Sequence, residues 1–107
     1  MKNLGQMMKQ AQQMQAKMAE LQAALDQAEV TGQSGGGMVA ITTSAKGEPR
    51  KVKIDPNLAN PAEVEVLEDL IVAALRDARQ KGDALVSEEM SKLTGGLQLP
   101  PGFKLPF

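Results

Sequence analysis

The sequence contains no cysteine and no histidine, and its only aromatic residues are Phe103 and Phe107, close to the end of the chain. A disulfide framework is therefore excluded, as is a zinc site built on Cys or His ligands. His, Cys and Tyr are all unavailable for acid–base or nucleophilic work, and the Ser and Lys residues form no nucleophile–base constellation. We expect no enzyme, no cofactor, no metal and no small-molecule substrate, and a core that is aliphatic and rich in methionine.

Long apolar runs are also missing. No stretch approaches the roughly 20 apolar residues of a membrane span, and the N-terminus lacks the apolar core of a signal peptide. We therefore expect a cytoplasmic protein with no membrane partner. With 107 residues, 42% of them apolar, the chain predicts one domain over residues 1–96 and a flexible Leu/Pro/Gly tail over residues 97–107. The net charge of −1 is not that of a strongly basic protein, but the charges are segregated and a small total can hide positive surfaces.

The first 28 residues carry an apolar seam. Its members alternate at intervals of three and four: Leu4, Met7, Ala11, Met14, Met18, Leu21, Leu25 and Ala28. This heptad pattern predicts a helix from Lys2 to Ala28. A domain this small cannot bury so long a seam, so its partner is a second copy or the second helix. We assign dimerisation to Leu4, Met7, Met14, Met18, Leu21 and Leu25.

Residues 30–56 contain the convincing β-structure. Residues 38–45 are rich in β-branched side chains, residues 50–54 alternate, and Lys46-Gly47 between them predicts a hairpin with a two-residue turn. This turn pairs Val39 with Ile54, Ile41 with Val52 and Thr43 with Arg50 on one face. The other face carries Ala40, Thr42, Lys51 and Lys53.

The glycine-rich run before the hairpin resembles a phosphate loop only superficially. Phosphate-binding loops of the Walker and dinucleotide types open a helix, whereas a strand follows here. We interpret Val30-Thr31 as a short first strand, and residues 32–37 as a flexible or sharply bent link between strands.

The second helix begins at Asn60-Pro61, which suit a helix N-cap and first position. A broad apolar stripe follows, wide enough to cover the hairpin's apolar face: Val64, Leu67, Leu70, Ile71, Ala74, Leu75 and Ala78. The pattern weakens at residues 79–83, so either one helix runs from Pro61 to Leu93 or Gly82 divides it. Glycine costs only about 1 kcal/mol in a helix. We therefore predict one helix, and we expect Gly82→Ala to stabilise it by about 0.5–1 kcal/mol.

Four segments, in order, resemble the YbaB/EbfC family of small bacterial nucleoid-associated proteins. They are VTGQSGGGMV (30–39), KVKIDP (51–56), LEDLIVAA (67–74) and MSKLTGGL (90–97). The resemblance implies an α+β fold: an α-β-β-β-α subunit with a small antiparallel sheet between two long helices, forming a homodimer with projecting helices. It also implies binding of double-stranded DNA, location in the nucleoid, and roles in nucleoid organisation or gene expression.

In this family the projecting parts of the first and last helices are implicated in DNA contact. Lys2 and Lys9 lie one heptad apart opposite the seam, with Lys17 one position off that row. The candidate DNA-binding residues are Lys2, Lys9, Lys17, Arg76, Arg79, Lys81 and Lys92, and the rival surface is Arg50, Lys51 and Lys53 on the hairpin. Lysine acts as a point charge, so we expect phosphate contacts rather than base reading. The alternative function is a non-enzymatic dimeric protein-interaction module with no direct DNA role.

Overall fold

A computed structural model describes residues 4–94 of the chain. It contains two long helices and a three-stranded antiparallel sheet, which confirms the predicted α+β, α-β-β-β-α subunit. The elements are α1 (Leu4–Gln27), β1 (Glu29–Ser34), β2 (Val39–Ser44), β3 (Pro49–Ile54) and α2 (Val64–Thr94), with short 3₁₀ turns at Gly35–Gly37, Pro56–Leu58 and Pro61–Glu63. Lys2 and the predicted tail, residues 97–107, lie outside the described residues.

The register of the β2–β3 hairpin is the predicted one over most of its length. Val39 faces Ile54 and Ile41 faces Val52. The third pair was wrong, because Thr43 faces Pro49 rather than Arg50, and the register shifts by a bulge between Thr42 and Thr43.

The connection between β2 and β3 explains that shift. It is longer than the predicted two-residue turn, and the hydroxyl of Ser44 organises it. Ser44 Oγ accepts the backbone N–H groups of Lys46 (3.3 Å) and Glu48 (3.0 Å), while the Ser44 carbonyl accepts the N–H of Gly47 (3.0 Å). Gly47 adopts a φ of 101°, which a residue with a side chain rarely tolerates. A side chain-to-backbone turn thus replaces the simpler hairpin turn.

Strand β1 is longer than predicted. It continues through Gly32 to Ser34, and only Gly35–Gly37 form the bend, each with positive φ. Gly32 is buried directly under α2, where a Cβ atom would overlap the Ala74 carbonyl and the Ala78 backbone. The glycine inside the strand therefore permits close approach of the helix, and the glycines after it permit the bend.

Helix α2 packs over β1 and β2, not over the whole hairpin. Val39, Ile41, Leu58 and Ala74 form the centre of the core. The predicted cover of Val52 was wrong: this side chain is 54% exposed. The reason is the sheet order β1-β2-β3, in which α2 is seated on Gly32 of β1 and leaves Val52 on the far edge strand uncovered, although Ile54 of the same strand packs against the core.

Helix α2 is continuous through Gly82, as predicted. Asn60 caps the preceding 3₁₀ turn, its Oδ1 accepting the N–H of Ala62 at 2.9 Å, and the α-helix begins at Val64 rather than Pro61. The structure opposes the expected gain from Gly82→Ala, because Gly82 is buried and a Cβ there would lie 2.5 Å from the Ala45 carbonyl oxygen. This glycine lets α2 rest on the hairpin turn.

Beyond Gly82, α2 leaves the sheet and runs antiparallel to α1. Lys17 and Leu21 of α1 share a groove with Glu89 and Leu93 of α2, while the C-terminal end of α1 meets the hairpin turn through the Ala45 N–H and the Ala28 carbonyl (2.9 Å). We call α1 together with residues 83–94 the arm, and the sheet together with residues 64–82 the head. The molecule is elongated, with a longest dimension of 72 Å.

Candidate nucleic-acid interface

Three of the predicted DNA-binding residues on α2 are engaged by carboxylates. Arg79 pairs with Asp83 at 3.5 Å, and Lys81 pairs with Asp77 at 2.9 Å. Lys92 lies 3.8 Å from Glu88 and 3.5 Å from Glu89. Because each cation lies one helical turn from its acid, the positive charge of these three residues is largely offset locally.

Lys81 and Asp77 also join α2 to β1. Lys81 Nζ donates to the Thr31 carbonyl oxygen at 2.9 Å, and the Gln33 N–H donates to Asp77 Oδ2 at 2.9 Å. The Gln33 N–H is the main cause that holds the pKa of Asp77 below its usual value, and the Lys81 ammonium lowers that pKa further. Spacing along α2 could not reveal this cross-link, because its partners are some 44 to 50 residues away along the chain.

Lys9, Lys17 and Arg76 differ from these paired cations. All three are exposed, and none of their side chains forms a hydrogen bond or an ion pair with any residue in the described part of the chain. Lys9 and Lys17 lie on α1, away from its apolar seam, whereas Arg76 lies on α2 in the head. The structure therefore keeps the two lysines on the arm and separates Arg76 from them.

The predicted dimerisation residues divide into two groups along α1. Leu25 is buried within the subunit, at 1% exposure, and Met14, Met18 and Leu21 are half-buried. Leu4 and Met7, near the free end of the arm, are each 62% exposed. The second helix thus covers the later part of the seam, and the first part is left uncovered.

The hairpin cations also divide. Arg50 Nη2 donates to the Asp26 carbonyl at 2.8 Å, and Lys46 pairs with the Asp26 carboxylate at 3.5 Å. Both cations lie at the C-terminal end of α1, where positive charge is favourable. Sequence reasoning missed this role of Arg50, which became visible only when β3 was placed beside α1. Lys51 and Lys53 remain exposed on the sheet.

A second exposed surface is apolar. Arg79 and Val86 of α2 line a cavity with Lys46 and Gly47 of the hairpin, so this flank of α2 faces the turn between β2 and β3. One and two turns earlier on the same flank are Leu75 (46% exposed) and Val72 (49% exposed). With Val52 on β3, they form what we call the β3-side apolar surface.

Residues 4–94 include no helix long and apolar enough to cross a membrane. Within the same residues, no group of three or more Asp or Glu side chains is arranged to hold a metal ion. The candidate functional features of the described residues are therefore the exposed lysines and the β3-side apolar surface.

The sequence profile of the YbaB/EbfC DNA-binding family matches residues 1–97. The chain belongs to this family. Similar relatives include a nucleoid-associated protein of Paramagnetospirillum magneticum, 64% identical over 107 residues, and another of Rhodospirillum rubrum, 59% identical over the same length. In both comparisons 100% of each chain is covered.

The fold recurs in a solved structure. An uncharacterized protein from Helicobacter pylori superimposes with a TM-score of 0.65 over 88% of this chain and 95% of that chain, at 24% sequence identity. At that identity the likeness establishes the fold alone. The YbaB/EbfC subunit architecture inferred from sequence motifs thus agrees with the three-dimensional comparison.

Proposed function

We propose that this protein is a non-enzymatic, nucleoid-associated DNA-binding protein that holds duplex DNA as a homodimer, mainly through phosphate contacts. The observation that carries the proposal is the pair of exposed lysines, Lys9 and Lys17, on a projecting arm, neither engaged by a carboxylate in the described residues. Membership of a DNA-binding family and the names of the relatives support the same reading.

The chemistry of the arm favours phosphate over bases. A lysine ammonium is a compact charge that interacts with phosphate oxygens regardless of sequence. Gln13, which lies between Lys9 and Lys17 on the same face of α1, could donate to phosphate or sugar, but base discrimination depends on side chains that reach base edges in a groove. We therefore propose binding with little sequence preference, which suits a role in nucleoid organisation and in regulation of gene expression.

The homodimer is supported by surface that a single subunit leaves exposed. Leu4 and Met7 at the tip of the arm, and Val52 and Leu75 in the head, are large apolar side chains with about half or more of their surface in solvent. Exposed large apolar side chains are costly in water, and protein–protein interfaces are where such surface is typically covered. A second copy supplies matching apolar surface and doubles the number of arm lysines.

The deciding experiment changes Lys2, Lys9 and Lys17 together to Glu and measures duplex affinity at several salt concentrations. We expect affinity to fall at least tenfold and the salt dependence to flatten, because fewer counterions are released when fewer phosphates are contacted. The control is Gln15→Glu, an exposed position on another face of α1, which should change affinity far less.

Equal affinity and an equal salt slope in the triple variant would remove α1 from the DNA-binding surface. Attention would then move to Arg76, the α2 candidate that no acid engages in the described residues. Circular dichroism of each variant shows whether the fold is retained, so that a loss of binding is not mistaken for unfolding.

The second candidate function is a dimeric protein-interaction module with no direct DNA role. It is favoured by the same β3-side apolar surface, which could receive a different protein. The two functions differ in salt response, because phosphate binding weakens steeply with salt whereas apolar association does not. Absence of salt-sensitive duplex binding by the unaltered protein would favour this second function.

A further inference from the structure

The face of the sheet that points away from α2 has a composition unlike the rest of the molecule. Two cross-strand rows lie on it: Thr31–Thr42–Lys51 and Gln33–Ala40–Lys53. Side chains alternate along a strand, and the intervening residues Val39 and Ile41 are buried under α2, so these rows point to the opposite side. We call this surface the outer sheet face.

No element of the described chain covers the outer sheet face. Thr31, Gln33, Lys51 and Lys53 are exposed, and the central Ala40 and Thr42 are half-buried beneath them. The side chains of Ala40 and Thr42 on the central strand are short, so they form a shallow surface between the lysines of β3 and the residues of β1. A broad ligand can therefore lie flat against it.

The two rows of the outer sheet face carry positive charge only, and the exposed acid on the same side, Glu29, lies in the next row opposite Ser44. Within residues 4–94, neither the Lys51 nor the Lys53 side chain makes a hydrogen bond or an ion pair, and the two rows contain no carboxylate. The two lysines are spaced roughly 6.5–7 Å apart along the edge strand β3. On the arm, Lys17 has acids close to it as well, because it shares a groove with Glu20 and Glu89.

Neutral hydrogen-bonding groups complete the surface. The Thr31 and Thr42 hydroxyls lie 3.0 Å apart in one row, and the Gln33 side chain stands at the end of the other. One hydroxyl of that pair donates to the other, which leaves a hydroxyl proton for an outside acceptor. Ammonium, hydroxyl and amide groups in this arrangement suit the phosphate oxygens of a nucleic-acid backbone, and none of them is positioned as a bidentate reader of a base.

We propose that the outer sheet face is a second phosphate-contact surface for duplex DNA, distinct from the lysines of the arm. The inference rests on the proposed DNA-binding function, and it extends the contact area from the arm to the head. The two surfaces are separate along the molecule, because Lys9 and Lys17 lie about 27 Å and about 15 Å before the end of α1 at Gln27, at 1.5 Å per residue, and β3 lies beyond that point in the head.

Site-specific crosslinking tests where DNA lies, because the natural chain has no cysteine. A photo-crosslinker attached to Gln33→Cys probes the outer sheet face, and one attached to Gln13→Cys probes the arm beside Lys9 and Lys17. Val66→Cys, exposed among the acidic residues that begin α2, is the negative control. We expect crosslinks to duplex DNA from positions 33 and 13, and several-fold less from position 66.

A charge series supplies the second measurement. Lys51→Gln with Lys53→Gln should lower the magnitude of the salt slope by about 1.8, since each lost phosphate contact contributes about 0.9. The control, Gln15→Glu with Ala19→Glu, changes net charge equally: the first pair removes two positive charges and the second adds two negative charges. Both control positions are exposed on α1, and the salt slope should stay close to that of the natural protein.

The outcomes separate this inference from the proposed function. Crosslinking at position 13 without crosslinking at position 33, or equal salt slopes for the lysine variant and the natural protein, overturns the outer sheet face alone. An equal drop in slope for the control overturns it too, since the effect would then be one of net charge. Conversion of the lysine variant to a different oligomeric state would identify the face as a subunit interface instead. Absence of duplex binding by the natural protein overturns both proposals.

Discussion

At the scale of single residues, Gly82 shows how a contact can reverse an expected substitution effect. It is a helical glycine with a buried backbone, and a Cβ atom there would meet the Ala45 carbonyl oxygen at 2.5 Å. The backbones of α2 and of the hairpin turn are both held by hydrogen bonds, so neither can move aside as a flexible side chain would. We expect Gly82→Ala to destabilise the subunit by about 1–3 kcal/mol, the usual range for overpacking, measured by denaturant unfolding.

Gly5 provides the matched control for this substitution. It is also helical, but a Cβ atom at Gly5 would have nothing within 4 Å. Gly5→Ala should therefore leave stability unchanged or raise it by up to about 1 kcal/mol, from helix propensity alone. If both substitutions stabilise the protein, α2 does not rest on the hairpin turn as the structure describes.

Asp77 makes the stability of the head depend on pH. The Gln33 N–H and then the Lys81 ammonium hold the pKa of Asp77 below its usual value, so the carboxylate is bound more favourably in the folded state. The resulting stabilisation is present above the unfolded-state pKa of about 4 and is lost as pH falls through the lower folded-state pKa. We expect Asp77→Asn to be less stable at neutral pH and to show a shallower loss of stability below about pH 4, in denaturant unfolding at stepped pH.

The control for Asp77 is Asp83→Asn. Asp83 pairs with Arg79 on the exposed surface of α2 at 3.5 Å, and exposed pairs contribute little. Its removal should change stability much less than removal of Asp77. Equal changes in unfolding free energy for the two substitutions would mean that the hydrogen bond from the Gln33 N–H to Asp77 adds no more stability than an exposed ion pair.

At the scale of elements, α1 carries one apolar seam in two environments. Leu25 is 1% exposed and Leu4 is 62% exposed, although both belong to the same heptad pattern. We expect Leu25→Ala to cost about 2–5 kcal/mol in unfolding free energy, because it empties a packed position at the base of the arm. Leu4→Ala should cost far less at protein concentrations low enough to keep the subunit monomeric.

The dependence of the Leu4→Ala effect on protein concentration shows whether a second copy covers the tip of the arm. If a second copy covers the tip of the arm, Leu4→Ala should weaken the protein only at concentrations where dimers form. A large, concentration-independent loss from Leu4→Ala would mean that residues of the same subunit cover the tip. Thermal unfolding over a hundredfold range of concentration distinguishes the two cases.

At the scale of the whole molecule, the β3-side apolar surface predicts self-association. Leu75 is 46% exposed, one turn before Arg79 on the same flank of α2, and a charge placed there would be desolvated in an interface. We expect Leu75→Asp to yield a folded monomer at micromolar concentration, whereas the natural protein and Gln80→Asp, changed at an exposed position on α2, sediment as dimers. Sedimentation equilibrium decides this, and a dimeric Leu75→Asp variant would move the interface to the arm alone.

Much of the fold could be predicted from local pattern. The heptad spacing of residues 4–28, the continuity of α2 through Gly82 and the pairing of Ile41 with Val52 all depend on periodicity within a short window. The candidate site was less accessible. That Lys9 and Lys17 are exposed follows from the face of α1 on which they lie, whereas the engagement of Lys81 by Thr31 and Asp77 depends on β1 lying beneath α2.

The sequence by itself thus determined the order of the elements, their approximate ends and the family, because these follow from residue spacing and short motifs. Only the tertiary structure decided which strands α2 covers, why Gly32 and Gly82 are needed, and which cations are already paired. The physical reason is that two backbones in contact leave no room for a Cβ atom and bring charges together from distant parts of the chain. Neither effect is encoded in the periodicity of any one element.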